Sequence, residues 1–241
     1  MKVLAIGNSF SRDATRYLRE IAKKGGNEFK VINLYIPACS LYKHYINILS
    51  NKDAYGIQVD AMAIGFNTSI QTALASDDWD VVTLQQGSKN SFDYKNYEPY
   101  LDLIAQTVKT YSPKAKIFVH QTWAYENGAS IMSELTPYQT ATEMFNDIRA
   151  CYNKMKKQIK ADGIITSGEL VETLAKKGIK PLYLADGHHM SRGIGRYAVA
   201  LLWYATLTKK DISNIDFNDF DEEVKKEDVE IIKQTVKELV K

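Results

Sequence analysis

The stretch Lys2-Val3-Leu4-Ala5-Ile6-Gly7-Asn8-Ser9-Phe10-Ser11 organises the chain. Val3 to Ile6 is an unbroken apolar run, which reads as a short strand buried on both faces. Gly7 breaks the run, and Asn8 and Ser9 accept irregular backbone. From Arg12 onward the pattern turns helical, with Tyr17, Leu18 and Ile21 at apolar positions. A hydroxyl is therefore expected on a tight strand-to-helix turn at the carboxyl end of the first strand. In an open parallel sheet, ligands and chemistry sit at that edge. A plainer role is open to the same residues, because Ser9 or Ser11 can cap the helix.

Gly25-Gly26-Asn27 ends this helix, and residues 29–36, rich in β-branched and aromatic side chains, read as a second strand. Pro37-Ala38-Cys39-Ser40 is a turn before a short helix over 41–49. Residues 55–66 suit a small hairpin, with Ile57, Val59, Met62 and Ile64 as its apolar positions and Gly65 and Asn67 closing it. A helical turn over 69–74 precedes a third central strand over 79–84, which runs into Gln85-Gln86-Gly87-Ser88. An amphipathic helix over 97–111 places Leu101, Ile104, Val108 and Tyr111 on one face, and Ser112-Pro113 stops it. The fourth strand is 116–120, followed by a long loop over 121–137 that carries Trp123 and Tyr125. Residues 138–159 form a long helix with Phe145, Ile148, Tyr152 and Met155 inward. A fifth strand over 163–166, a helix over 167–177 and a strongly apolar helix over 191–207 follow. The charged tail, 221–241, reads as an amphipathic helix with Val229, Ile232, Val236 and Leu239 on its inner side. Strands separated by helices along the whole chain imply the α/β class. The spacings predict a three-layer α/β/α sandwich around a flavodoxin-like, parallel five-stranded sheet. No repeat, low-complexity segment or linker interrupts the pattern, so residues 1–241 are expected to form a single domain.

Composition narrows the function classes. Net charge is +2, too small to argue for a nucleic-acid or membrane-surface partner. The two cysteines, Cys39 and Cys151, form neither a metal-ligand spacing nor a disulfide framework. No apolar run approaches a membrane span, and the chain opens directly on strand sequence with no signal peptide, so a cytoplasmic protein is expected. The first strand-to-helix turn holds one glycine and no phosphate-cradling run, which argues against a flavin or nucleotide module.

The second informative stretch is Leu184-Ala185-Asp186-Gly187-His188-His189-Met190-Ser191, which holds two of the four histidines beside an acid. A carboxylate three residues before an imidazole can hold Nδ1–H and leave Nε2 as a base. Asp-x-x-His alone equally suits a helix-capping histidine or half of a metal site. Together with Ser9 at the other end of the chain, it supplies the parts of a serine-nucleophile triad.

With both ends in view, the chain resembles the SGNH (GDSL-like) hydrolase superfamily through four blocks. Gly7-Asn8-Ser9 looks like the nucleophile block, with Asn8 where many members have Asp. Ala38-Cys39-Ser40-Leu41 looks like the second block, with Ala38 replacing the usual glycine. Gln85-Gln86-Gly87 stands where the third block usually offers Gly-x-Asn, and Asp186-Gly187-His188-His189 looks like the terminal block. Gly-Asn-Ser-Phe-Ser, Cys-Ser-Leu, Leu-Gln-Gln-x-Ser, Thr-Trp-Ala-Tyr and His-His-x-Ser together resemble a bacterial subgroup, the domain-of-unknown-function 4886 proteins.

The resemblance implies Ser9 as nucleophile, His189 as general base and Asp186 as its orienting acid. It implies an oxyanion hole made by the backbone N–H of Ser9 and of Ala38 or Cys39, with the side-chain amide of Gln86, or of Gln85 in its place, as a further donor. His188 is expected to shape the pocket and His44 to be structural. Trp123 and Tyr125 either stack on a sugar or cap the core. No cofactor and no metal are implied. The expected reaction is hydrolysis of a short acyl ester, acetyl above all, on a carbohydrate or other small molecule. The loops at the sheet edge suit this, because Asn8, Gln85, Gln86, Ser88, Asn90, His120, Gln121, Trp123, Tyr125 and Asn127 are polar or aromatic, amides and ring faces suit hydroxyl-rich sugars, and the methyl of Ala38 narrows the acyl side. A lipid or thioester acyl hydrolase, or a catalytically silent carbohydrate-binding member of the fold, are the alternatives.

Overall fold

The computed structural model describes residues 1–240, and its centre is the strand that opens the chain. β1 (Lys2–Gly7) is buried from Val3 to Gly7, as its unbroken apolar run requires. α1 (Ser9–Thr15) follows at once, because Asn8 Oδ1 accepts the Phe10 N–H at 3.0 Å and caps the helix. The helix thus begins at Ser9 rather than at Arg12, and breaks at Arg16-Tyr17 before α2 (Leu18–Lys24).

The chain continues through β2 (Lys30–Tyr35) and α3 (Leu41–Leu49), then the hairpin β3 (Tyr55–Val59) and β4 (Met62–Thr68). α4 (Ile70–Ala75), β5 (Val81–Leu84), α5 (Tyr100–Tyr111) and β6 (Lys116–His120) bring the sheet to six strands. The segment expected to be one long loop contains a short helix, α6 (Ser130–Leu135). α7 (Ala141–Gln158), β7 (Gly163–Ile165), α8 (Ser167–Lys176), α9 (Ile194–Thr208) and α10 (Lys226–Leu239) follow. Lys241, the last residue of the expected tail helix, lies outside the described residues.

The sheet has seven strands in the order β4-β3-β2-β1-β5-β6-β7. Five of them, β2-β1-β5-β6-β7, are parallel, as the spacing of the central strands predicts. The other two are the hairpin, which adds antiparallel to the free edge of β2. Its turn is Asp60-Ala61, with φ of 50° and 66°, rather than Gly65 and Asn67. A two-residue hairpin loop needs positive φ at both positions, and side-chain patterning does not show where an aspartate and an alanine will accept it.

α1, α2, α8, α9 and α10 pack together, while α3, α4 and α5 form a second group. From Tyr197 to Thr206, α9 is buried all round, which explains why it is apolar rather than amphipathic. Among the described residues no helix is long and apolar enough to cross a membrane.

Two buried imidazoles make the fold acid-sensitive. Burial holds His44 and His120 down to about 3 each, whereas in an unfolded chain histidine titrates near 6.5. Both folded-state values are depressed, so the stability they contribute is fully present above about pH 6.5 and is lost as pH falls toward 3. Each histidine should lower unfolding free energy by about 1.4 kcal/mol per pH unit across that window. Urea midpoints at pH 7, 6 and 5 measure this, and a flat profile would mean that the imidazoles charge within the fold.

Candidate active site

The turn after β1 is held by side chains that leave Ser9 free. Asn8 Nδ2 donates to the Cys39 carbonyl at 3.1 Å, and Asn8 Oδ1 also accepts from Gln85 Nε2 at 2.7 Å. Ser11 is fully buried, and its Oγ accepts the Asn8 N–H at 3.1 Å and lies 2.7 Å from Asn33 Oδ1. The capping work therefore falls to Asn8 and Ser11. Ser9, half-buried at the first helical position, uses its hydroxyl in no hydrogen bond among the described residues, and its N–H points out of the first turn without a partner.

Asp186 and His189 come together in the loop between α8 and α9. Asp186 Oδ1 accepts the N–H of His188 and of His189, each at 3.0 Å, and Asp186 Oδ2 lies 2.7 Å from His189 Nδ1. Burial pushes this carboxyl up, but the His189 N–H and ring and the His188 N–H outweigh it and hold the group down at about 2. The acid stays ionised and fixes the imidazole. His189 Nε2 is buried without a hydrogen-bond partner among the described residues. Gly187 permits the turn, since its φ is +68° and a Cβ there would lie 2.3 Å from Ala129 Cβ.

The helix that begins at Ser9 also clamps this loop. Asp13, one turn beyond Ser9 on α1 and 0% exposed, accepts the Met190 N–H at 3.0 Å and pairs with Arg196, whose Nη2 lies at 2.9 Å. Burial raises the Asp13 carboxyl, opposed by Arg196 and then His189. Phe10, beside Ser9, meets the His189 ring edge-on at 6.3 Å between centroids. No hydrogen bond joins Ser9 Oγ to His189 Nε2. Sequence reasoning missed Asp13. The available signal was an acid four residues after the serine on an otherwise apolar helix face.

His188 packs against His189, with ring centroids 3.9 Å apart, and near Tyr125 at 5.9 Å. Burial and the neighbouring His189 lower its pKa. Asp186, His188 and His189 also place ligand atoms within 4.8 Å of one another, close enough to hold a metal ion. His189 Nδ1 and Asp186 Oδ2 already face each other, so such an ion would have to compete with that hydrogen bond.

Several expected site residues turn inward instead. Gln86 is 0% exposed: its Oε1 accepts the N–H of Leu41 and of Gly87, both at 2.9 Å, and its Nε2 donates to the Asn96 carbonyl at 2.9 Å. Gln85 bridges Asn8 to His120 Nδ1, 2.7 Å from its Oε1, and His120 Nε2 lies 3.1 Å from Ser167 Oγ. Both amides stitch loops together rather than face Ser9. Cys39 N–H is spent on the Ile36 carbonyl at 3.2 Å, and burial pushes the Cys39 thiol up to about 12. Ala38, exposed and at φ +50°, follows Pro37 in that turn, and its N–H is free of partners among the described residues. The left-handed backbone usual for glycine is thus kept by alanine, at a cost of about 1–2 kcal/mol.

Trp123 and Tyr125 are 0% and 1% exposed, and their polar atoms bond the His188 carbonyl and Ser88 Oγ. Trp123 stacks on Phe10 at 4.2 Å. They are core caps that brace the loop at His188, with no ring face open to a sugar.

Gln86→Ala is expected to strike stability first. It strips two buried N–H groups and one carbonyl of partners, each worth about 1–3 kcal/mol. An unfolding free energy, measured by urea titration, that falls by several kcal/mol with a modest change in kcat is the expected result. A variant as stable as wild type but about 10²-fold slower would return the amide to the oxyanion hole.

A family description, Domain of unknown function (DUF4886), matches residues 2–238. A DUF4886 family protein from Bacteroides uniformis is 28% identical, with all of this chain and 94% of that one covered at a TM-score of 0.91. A candidate SGNH hydrolase from Slackia heliotrinireducens is 20% identical, covering 86% and 98% at 0.61. An acetyl xylan esterase, AlAXEase, is 14% identical, covering 85% and 98% at 0.57. The comparison with curated proteins gives no match. The last two solved structures show a shared fold, and the match along nearly the whole length shows that this chain belongs to the DUF4886 family, built on the fold of the SGNH hydrolases.

Proposed function

We propose that the chain is a serine hydrolase that cleaves a short acyl ester. The observation that carries this reading is the Asp186–His189 pair, with Nδ1 held at 2.7 Å and Nε2 buried and free, on a loop clamped by Asp13 to the helix that begins at Ser9. Ser9 Oγ attacks the ester carbonyl while His189 Nε2 takes its proton. The oxyanion is met by the Ser9 N–H, at a helix amino terminus, and by the Ala38 N–H. His189 returns the proton to the departing alcohol, leaving an acyl-enzyme. Water then attacks with the same base, and the free acid leaves. Asp186 fixes the ring tautomer throughout.

For the substrate, the reading is an acetyl group on a carbohydrate alcohol. The left-handed Ala38 puts a methyl beside the proposed oxyanion donor, and the half-buried Ser88, Asn90 and His188 offer polar partners. Trp123 and Tyr125 give no support here. A lipid or thioester acyl substrate is the competing reading.

A fluorophosphonate probe tests the chemistry and should label Ser9, with the label mapped by mass spectrometry and lost in His189→Ala. Absence of labelling in folded protein would leave a silent binding module. Turnover of p-nitrophenyl acetate, butyrate and octanoate tests the acyl side, and kcat/KM should fall with chain length in graded steps. Activity should persist in EDTA, and its loss, restored by a divalent cation, would favour a metal at Asp186, His188 and His189.

A further inference from the structure

A cleft of about 480 Å³ opens beside the proposed site, lined by Arg12, Arg16, Arg192 and Arg196 with Asp60 and Asp221. The sequence ties it to the catalytic groups at both ends. Arg12 is three residues after Ser9 on α1, about one helical turn away. Arg192 is three residues after His189, and Leu184, also in the lining, donates its N–H to the His189 carbonyl at 2.9 Å. The hairpin turn at Asp60-Ala61 closes the far side, which gives the two extra strands a place in the site.

The four guanidinium groups are not equivalent. Arg16 forms a two-pronged pair with Asp221, and Arg196 pairs with Asp13. Asp60 is taken by Arg19 at 3.2 Å. Arg12 and Arg192 have no ion pair among the described residues, and Arg12 Nε is buried without any partner while its guanidinium lies over the Tyr35 ring. With Nε closed off beside Tyr35, Arg12 meets an acceptor from outside through its Nη atoms, which carry no hydrogen bond or ion pair among the described residues. Arginine forks match planar or tetrahedral oxyanions bidentately.

We propose that this cleft binds an anionic group, a carboxylate or a phosphate or sulfate ester, carried on the alcohol portion of the substrate and held by Arg12 and Arg192. The assignment to the substrate's alcohol rests on the serine-esterase reading, whereas the anion subsite itself does not. Arg16 and Arg196, already neutralised, build the wall; Asp221 is held by Arg16, and Asp60 lies against Arg19 at 3.2 Å, with its Oδ1 in no hydrogen bond.

The kinetic test compares acetylated methyl glucoside with acetylated methyl glucuronide and with acetylated methyl glucoside 6-phosphate. The wild-type protein should favour at least one charged substrate by tenfold or more in kcat/KM, mainly through KM. Arg12→Gln and Arg192→Gln should each erode that ratio and the double variant should bring it near one, with turnover of p-nitrophenyl acetate unchanged. The glucuronide and phosphate arms tell a carboxylate from a phosphate. Equal kcat/KM for neutral and charged esters, or a ratio untouched in the double variant, would overturn the proposal. A second measurement is independent of turnover: calorimetric titration of Ser9→Ala protein with methyl glucuronide and with glucose 6-phosphate. Binding that is lost in the Arg12→Gln/Arg192→Gln background supports the subsite even if no ester is cleaved, and binding no tighter than that of methyl glucoside sinks it. Failure to cleave p-nitrophenyl acetate would sink the hydrolase reading alone.

Discussion

In Ser9→Ala protein, kcat/KM for p-nitrophenyl acetate is expected to fall by about 10⁴-fold or more while the fold stays intact. The two effects separate because of what Ser9 does not do. Asn8 Oδ1 and Ser11 Oγ make the hydrogen bonds that start α1, so the Ser9 hydroxyl supports no neighbour. Its loss should change stability by less than about 0.5 kcal/mol, the range of an ordinary surface substitution. His189→Ala should match it in rate, and Ser9→Ala/His189→Ala should be hardly worse than either, since nucleophile and base act as one unit. Asp186→Asn keeps an acceptor for the two loop N–H groups but loses the charge opposite Nδ1, so its damage should be smaller. His188→Ala should be mild, because its ring packs beside the base without holding it. Steady-state kinetics alongside thermal melts decide the matter. Wild-type turnover in a folded Ser9→Ala protein would end the proposal, and a lethal His188→Ala with a harmless His189→Ala would move the base by one residue.

Asp13→Ala is expected to be the most destabilising single change near the site. It leaves Arg196, only 11% exposed at its side chain, with no more than the looser contact to Asp221 at 3.9 Å, and strips the acceptor from Met190 N–H. Breaking a buried pair by removing one member typically costs about 3–5 kcal/mol. For a chain of this size each kcal/mol moves the melting temperature by roughly 2–4 °C, so a drop on the order of 10 °C is expected. Rate should fall as well, since the Met190 anchor adjoins His189 and fixes where Nε2 lies relative to α1. Removing both partners together, in Asp13→Ala/Arg196→Met, should cost less than the sum of the single changes. A melting temperature within a few degrees of wild type for Asp13→Ala, with unaltered kcat, would show that the clamp is not needed.

These two variants probe residues of opposite legibility. Ser9 could be read from ten consecutive residues, because a buried strand, a break and a helix start are all local patterns. The five parallel strands were readable for the same reason, as was Asp186 three residues before His189. Asp13 was not, because its partners lie 177 and 183 residues further along the chain. Gln86, Trp123 and Tyr125 show the same limit from the other direction. Their positions at the sheet edge were correctly placed, yet whether an amide or a ring points to substrate or to a neighbouring loop depends on how that loop folds over it. The Leu41 and Gly87 N–H groups claim Gln86, and Phe10 covers Trp123. Likewise, the hairpin was legible as a hairpin, but not its docking on β2 or its turn against Arg12 and Arg16, since edge pairing is chosen among surfaces that form only as the sheet assembles. Local periodicity thus settled which elements form and where the hydroxyl sits, while side-chain direction, the buried Asp13 clamp and the arginine cleft were decided by contacts between distant segments, whose energies no local pattern encodes.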